Sequence, residues 1–253
     1  GIMAWGSAGM TQINSEDINS TSSAVTPYTW NVKSRYGISL GISGTYNLTD
    51  NIGVKAGLEI NTFSAGYAFA DSLKDTQISK DINNTSFYKI VDANIDSVVK
   101  MNFITIPVAI NYISGKPGKL GFYGEAGMRF SIPLNASYTT KGDYETMGYY
   151  PSLTIADKVL TASEIGWFYK KQNFSESGTV DLRGINMAAY GTAGVNIPFG
   201  YYSSVMIGPE ISIGLSDVMR HVNKYRDIFD NAYDHKPTKV KYFGLRISFA
   251  YKL

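Results

Sequence analysis

The stretch at residues 241–253 (KYFGLRISFAYKL) alternates between apolar and small or polar side chains. In an extended strand, one face carries Phe243, Leu245, Ile247, Phe249, Tyr251 and Leu253. The other face carries Tyr242, Gly244, Arg246, Ser248, Ala250 and Lys252. A soluble sheet seldom shields arginine and glycine while exposing six bulky apolar groups. A membrane barrel does so, because lipid covers the apolar face and the polar face lines the interior.

Further stretches repeat this alternation, at residues 36–48, 52–61, 103–112, 120–134, 185–197 and 205–215. Short turns at 49–51, 115–118 and 198–200 connect them in pairs, and long polar segments at 70–99, 139–182 and 216–238 separate the pairs. Strict succession of short and long connections is typical of outer-membrane barrels. The long segment 14–33 then requires a strand before it, and residues 3–13 are the candidate despite their weak alternation.

We therefore predict an all-β fold, an eight-stranded antiparallel up-and-down transmembrane β-barrel, with residues 1–253 as a single domain. An even strand count lets the first strand pair with the last, which removes the sheet edges. The short turns and both termini are expected in the periplasm and the long loops outside a bacterial outer membrane. The alternative is a soluble barrel of the lipocalin type or an antiparallel sandwich. Its exposed face would consist largely of Gly, Ser, Thr and Asn, which cover a soluble surface poorly.

Composition excludes several other classes of protein. The chain has no cysteine, so it forms neither disulfides nor a cysteine zinc site. No stretch approaches the roughly 18 apolar residues of a membrane-spanning helix. No basic cluster indicates nucleic acid as a partner. We expect no cofactor and no metal site.

Charged residues on the predicted inward face form the first candidate site. They are Lys55, Glu59, Glu125, Arg129, Glu210 and Arg246. An eight-stranded barrel is just wide enough for side chains to fill it, and buried charges are tolerated only when paired. The first interpretation is a network that holds the barrel together. The second is a proton or ion path, or a gate that opens by exchanging ion pairs.

Aromatic residues in the third long loop form the second candidate site, a binding surface. They are Tyr144, Tyr149, Tyr150, Trp167, Phe168 and Tyr169. Such residues anchor interfaces or stack on sugars, although packing over the barrel mouth or in an interfacial girdle explains them equally well. The expected partners are outer-membrane lipid and either another envelope protein or a surface glycan. The barrel is expected to be a monomer or a subunit of a larger membrane complex.

Catalysis has little support in the sequence. The only histidines, His221 and His235, lie in the last long loop near several aspartates, and nothing places a nucleophile opposite them. We predict that the protein is not an enzyme.

Taken together, these segments resemble the Bacteroidetes outer-membrane β-barrel family, of the PorT-like type. The resemblance rests on WGSAGMTQIN, on the hairpin YGISLGISGTYNLTDNIGVKAGLEI, on FITIPVAINYISGKPGKLGFYGEAGMRF and on the closing YFGLRISFAYKL. It implies the fold and the location but no single activity, because most members have none assigned, although one branch serves type IX secretion. We predict a structural or interaction module whose external loops bind a partner. The alternative is a narrow channel, or an accessory barrel of secretion or transport.

Overall fold

The computed structural model describes residues 1–15, 31–80, 84–116, 119–150, 159–160, 170–218 and 238–252, which form one antiparallel sheet. Its strands are β1 (Ile2–Ser15), β2 (Asn31–Asn47), β3 (Ile52–Lys80), β4 (Ser86–Ile113), β5 (Gly121–Tyr149), β6 (Val159–Leu160), β7 (Lys170–Thr179), β8 (Asn186–Phe199), β9 (Ser203–Gly214) and β10 (Thr238–Tyr251). No helix in these ranges is long and apolar enough to cross a bilayer.

Eight of these strands close into a ring. From β1 the order runs through β2, β3, β4, β5, β8, β9 and β10, and β10 pairs with β1 again. The closing pair is in register from Ile2 opposite Tyr251 to Ser15 opposite Thr238. The short strands β6 and β7 pair with the upper part of β5 and lie outside the ring. The predicted eight-stranded barrel is confirmed.

The two faces of the ring follow the predicted alternation. On β10, Phe243 and Ile247 are exposed, whereas Tyr242 and Arg246, which directly precede them, are buried. The exposed apolar face continues around the ring, and we call it the apolar belt. It includes Leu40, Ile42, Leu58, Ile60, Ile106, Ile110, Phe130, Ile132, Met187, Val195, Ile211, Ile213, Leu245 and Ile247. The belt spans Phe243 to Tyr251 on β10, close to the roughly 9–11 residues that a tilted membrane strand needs.

The two ends of the belt differ in the side chains that border them. At the end that holds both chain termini, the short-turn end, exposed aromatic residues form a girdle: Tyr46, Tyr112, Phe122, Phe199, Tyr201, Tyr202, Phe249 and Tyr251. At the opposite end, the long-hairpin end, the belt stops at a polar row across β3, β4 and β5. In this row Thr62 donates a hydrogen bond to Asn102 over 2.8 Å, and the Asn102 amide donates to Asn135. Aromatic girdles and polar boundaries of this kind mark the two membrane–water interfaces.

The predicted long loops are wrong in part, because the strands do not stop where the apolar belt stops. Strands β3 and β4 stay paired through the segment 70–99, as far as Lys80 opposite Ser86. Strand β5 continues to Tyr149, and β7 pairs with it inside the segment 139–182. Beyond Thr62, β3 therefore adds roughly 50–60 Å of strand at about 3.3 Å per residue. We call the upper parts of β3, β4 and β5, together with β7, the projecting sheet.

The physical reason is that apolar alternation reports contact with lipid and not strand formation itself. Beyond the belt, backbone hydrogen bonds between β3, β4 and β5 continue, but no lipid requires one face to be apolar. Polar residues such as Asp92 and Asn94 are interspersed with apolar residues there, so the segment looks like a loop.

Candidate functional site

The six predicted interior charges come from four strands and reach the same region of the lumen. Lys55 and Glu59 lie on β3, Glu125 and Arg129 on β5, Glu210 on β9 and Arg246 on β10, and all six are buried. Strand register explains the convergence. Thr192 of β8 lies opposite Glu125 on one side and Glu210 on the other, which aligns both carboxylates with it across three neighbouring strands.

Ion pairs connect these residues into one chain, which we call the charge network. The Lys55 ammonium lies 2.7 Å from the Glu125 carboxylate, and Glu125 lies 3.3 Å from the Arg246 guanidinium. Arg246, only 1% exposed, also reaches Glu210 at 3.3 Å. Each of these groups thus shares its charge with a neighbour from a different strand.

The second half of the charge network has a single central cation. Arg129 lies 2.9 Å from Glu210 and 3.3 Å from Glu59, and Ser39 donates a hydrogen bond to Glu59 over 2.6 Å. Three cations and three carboxylates make the whole network neutral. Neutrality and continuous pairing are what make burial of six charges tolerable.

Aromatic side chains hold the network on both sides. The Trp5 ring lies under two cations, with Lys55 at 4.1 Å and Arg246 at 4.5 Å from its centroid. The Tyr190 ring lies 4.3 Å from Arg129, and its hydroxyl donates to Glu125 over 2.5 Å. Sequence reasoning missed Trp5, because alternation in β1 is weak. The available signal was its odd position, which it shares with the other inward residues of that strand.

Glycine makes room for Trp5. Gly41 lies directly opposite Trp5 on β2, and a Cβ atom at this position would overlap the indole ring. We expect Gly41→Ala to lower the free energy of unfolding by about 1–3 kcal/mol through overpacking, measured by urea denaturation in lipid vesicles. Gly44→Ala on the same strand is the control, since a Cβ there meets nothing within 4 Å. Equal stability of the two variants would show that Trp5 is free to move.

Apolar layers close the lumen on either side of the charge network. Towards the short-turn end, Met3, Trp5, Tyr123 and Met206 pack together. Towards the long-hairpin end, a larger cluster contains Ile13, Ala65, Val99, Met101, Phe103, Ala136 and Val218. Between this cluster and Arg129 lies a cavity of about 40 Å³, which is large enough to hold water. The described lumen is filled and not an open pore.

The predicted loop surface is divided by the structure. Tyr150 is 3% exposed and stacks on Phe87 with ring centroids 5.3 Å apart. Tyr144 contacts Phe174 edge-on, while Tyr149 lies on the opposite face of the projecting sheet, 6.3 Å from Tyr88. The remaining predicted residues, Trp167, Phe168 and Tyr169, lie outside the described residues. The three described tyrosines therefore do not form one exposed patch.

His221 and His235 lie outside the described residues. Within the described part of the chain, no group of three or more histidine, aspartate or glutamate side chains is placed to hold a metal ion.

A closed ring of strands with an apolar belt on its outer wall is the architecture of a membrane β-barrel. The family model of the outer membrane protein beta-barrel domain matches residues 6–220. The chain therefore belongs to this family and is a protein of the bacterial outer membrane.

Solved structures of two outer-membrane proteins are similar to the chain along most of its length. OprG from Pseudomonas aeruginosa is 12% identical, with 99% of this chain and 95% of that chain covered and a TM-score of 0.38. Ail, the attachment invasion locus protein of Yersinia pestis, is 7% identical, with coverages of 98% and 96% and a TM-score of 0.31. The comparison with curated proteins returns no significant match.

Proposed function

We propose that this protein is a closed outer-membrane barrel that presents a partner-binding sheet outside the cell. The observation that carries the proposal is the projecting sheet, in which β3, β4 and β5 continue far beyond the apolar belt. In outer-membrane barrels the short turns face the periplasm and the long connections face outward. On that rule both termini of this chain are periplasmic and the projecting sheet is extracellular.

The filled lumen supports an interaction role over a narrow channel. A conducting path needs connected space along the barrel axis. Here a neutral charge network and two apolar layers occupy the described lumen. Opening a path would require separating ion pairs whose charges then lack partners in a low-dielectric interior. The network accordingly has a structural role in the proposal.

One face of the projecting sheet has the composition of a protein interface. Tyr88 lies opposite Tyr149, and Ile90 lies opposite Met147, all half-buried. We call these four residues the distal patch. The next two pairs on the same face bring Asp92 beside Glu145, which is paired with Lys170 at 2.8 Å, and Asn94 beside Asp143. An apolar centre with a charged margin is typical of protein–protein interfaces. The proposed partner is a protein with an apolar surface and basic residues around it.

We expect the double variant Tyr88→Ala/Tyr149→Ala to lose partner recovery by at least tenfold, because central tyrosines contribute strongly to interface energy. An affinity tag in the short turn at 115–118 allows capture after cross-linking of intact cells, with mass spectrometry to identify partners. Tyr201→Ala/Tyr202→Ala is the matched control, since these exposed tyrosines lie at the short-turn end. Heat-modifiable migration in gels reports folding of every variant.

Unchanged recovery from the folded Tyr88→Ala/Tyr149→Ala variant would remove the distal patch from the proposal. Recovery of glycan instead of protein would change the class of partner.

We also propose that the chain belongs to the PorT-like Bacteroidetes branch, on the sequence resemblance. Capture of type IX secretion components with the tagged protein would favour the accessory function over an independent surface module. No catalytic role is included.

A further inference from the structure

We propose that the outer wall of the barrel binds the phosphate groups of membrane lipids at its long-hairpin end. Basic side chains gather there just beyond the apolar belt, and we call them the basic rim. They are Lys33, Arg35, Lys100, Arg183, Lys239 and Lys241. The inference depends on the barrel and its belt and not on the distal patch or its partner.

The strand pattern puts these side chains on the outer wall. On β10 the exposed face runs from Phe243 at the edge of the belt to Lys241 and then Lys239. On β4 it runs from Asn102 of the polar row to the exposed Lys100. The same face that contacts lipid tails inside the belt therefore becomes basic at the next positions.

The same arrangement occurs on two further parts of the wall. Arg183 is exposed two residues before Ile185, which is itself an exposed apolar residue at the entrance to β8. Lys33 lies on β2 opposite Gly66, beyond the bulge that follows Ser34, and its neighbour Arg35 reaches the same surface. The basic rim thus draws on β2, β4, β10 and the segment before β8.

The ion pairs of the basic rim leave a positive excess. Asp96 lies 3.6 Å from both Lys33 and Arg35, and Asp217 lies 3.6 Å from Arg183. Lys100, Lys239 and Lys241 have no ion-pair partner among the described residues. Six cations are therefore matched by two carboxylates. The existing pairs are long and mostly exposed, so they hold their cations weakly.

The anions nearest to the basic rim are the phosphate groups of membrane lipids. The polar row places the edge of the belt at the interface, so side chains one step further lie at headgroup depth. Lysine stems can cover apolar surface while the ammonium groups reach the phosphates, and arginine binds phosphate oxygens in pairs. Basic residues beside an anionic bilayer surface each add attraction within a Debye length.

The test uses the full chain folded in a neutral detergent, with native mass spectrometry of bound lipid. The probes are bis-phosphorylated lipid A and lipid A with both phosphates removed and the same acyl chains. We expect at least tenfold stronger retention of the phosphorylated lipid. The variant Lys100→Ala/Lys239→Ala/Lys241→Ala should reduce this preference to less than threefold. Lys116→Ala/Lys119→Ala, two exposed lysines near the short-turn end, should keep it.

Equal retention of the two lipids by the unmodified protein would overturn the proposal. So would a folded triple variant that keeps the full preference, or a control variant that loses it. Displacement of lipid A by an excess of inorganic phosphate would show a site for the free anion and would also overturn it. Heat-modifiable migration verifies that each variant is folded.

Discussion

Replacing Arg246 with leucine is expected to lower the free energy of unfolding by about 3–5 kcal/mol. The substitution removes the cation that joins Glu125 to Glu210, and it leaves the buried network with one excess negative charge. It also removes the guanidinium that stacks on Trp5. Urea denaturation in phosphatidylcholine vesicles, followed by tryptophan fluorescence, measures the loss.

Two further variants make that result specific to the charge network. Lys252→Ala removes an exposed cation just beyond β10 and should change stability by less than about 0.5 kcal/mol. Arg246→Leu combined with Glu210→Gln restores neutrality and should recover part of the loss, as neighbouring groups do in a double-mutant cycle. A loss below about 1 kcal/mol for Arg246→Leu alone would mean that the remaining pairs rearrange and that the network is not the main interior support.

Replacing the adjacent Ile247 with arginine is expected to lower the free energy of unfolding by about 2–4 kcal/mol, because this substitution places a charge on the outward face. Ile247 lies midway along the apolar belt on β10 and is exposed to lipid. A guanidinium placed there meets hydrocarbon, whereas Arg246 one position away meets two carboxylates. The same urea denaturation measures the effect, together with the yield of folded barrel in vesicles.

Ile247→Met is the matched control, because it keeps an apolar side chain of similar volume. It should lower the free energy of unfolding by less than about 1.5 kcal/mol. If Ile247→Arg folds into vesicles with the stability of the control, this part of the belt does not face the bilayer core. The two adjacent arginine positions together test the inward and outward faces of one strand.

Alternation predicts which residues of each strand face outward, because contact with lipid requires an apolar side chain at every second position. The alternation accordingly predicts that Arg246 and Glu210 face the lumen, and the structure places both there. Their partners did not follow from the same pattern. Lys55 and Glu125 are 70 residues apart, and which carboxylate meets which cation depends on the register across intervening strands. Register is set by turns and strand tilt, which a period of two does not contain.

Outside the lipid-facing face, the sequence pattern predicts the structure less well. The pattern predicts a loop for the segment 70–99, although β3 and β4 are paired there, because the segment lacks the apolar alternation of a lipid-facing strand. Trp5 was overlooked for a related reason. Its strand carries small residues such as Gly6 and Ala8 on the lipid side, so alternation is faint. The structure of these regions depends on backbone pairing and on the close packing of Trp5 against Gly41. Neither produces a periodic pattern in the sequence.

The charge network also limits the order in which the barrel can assemble. Its members come from β3, β5, β9 and β10, and the neighbouring Tyr242–Ser7 hydrogen bond joins residues 235 positions apart. Strands β9 and β10 together supply the neutral pair Glu210–Arg246, and β3 and β5 supply Lys55–Glu125 and Arg129–Glu59. A single strand that crossed the bilayer before meeting its partner would leave charges without partners in hydrocarbon. Insertion is therefore expected to occur in preassembled units of several strands and not strand by strand, with the contacts Arg246–Glu125 and Arg129–Glu210 joining the two groups.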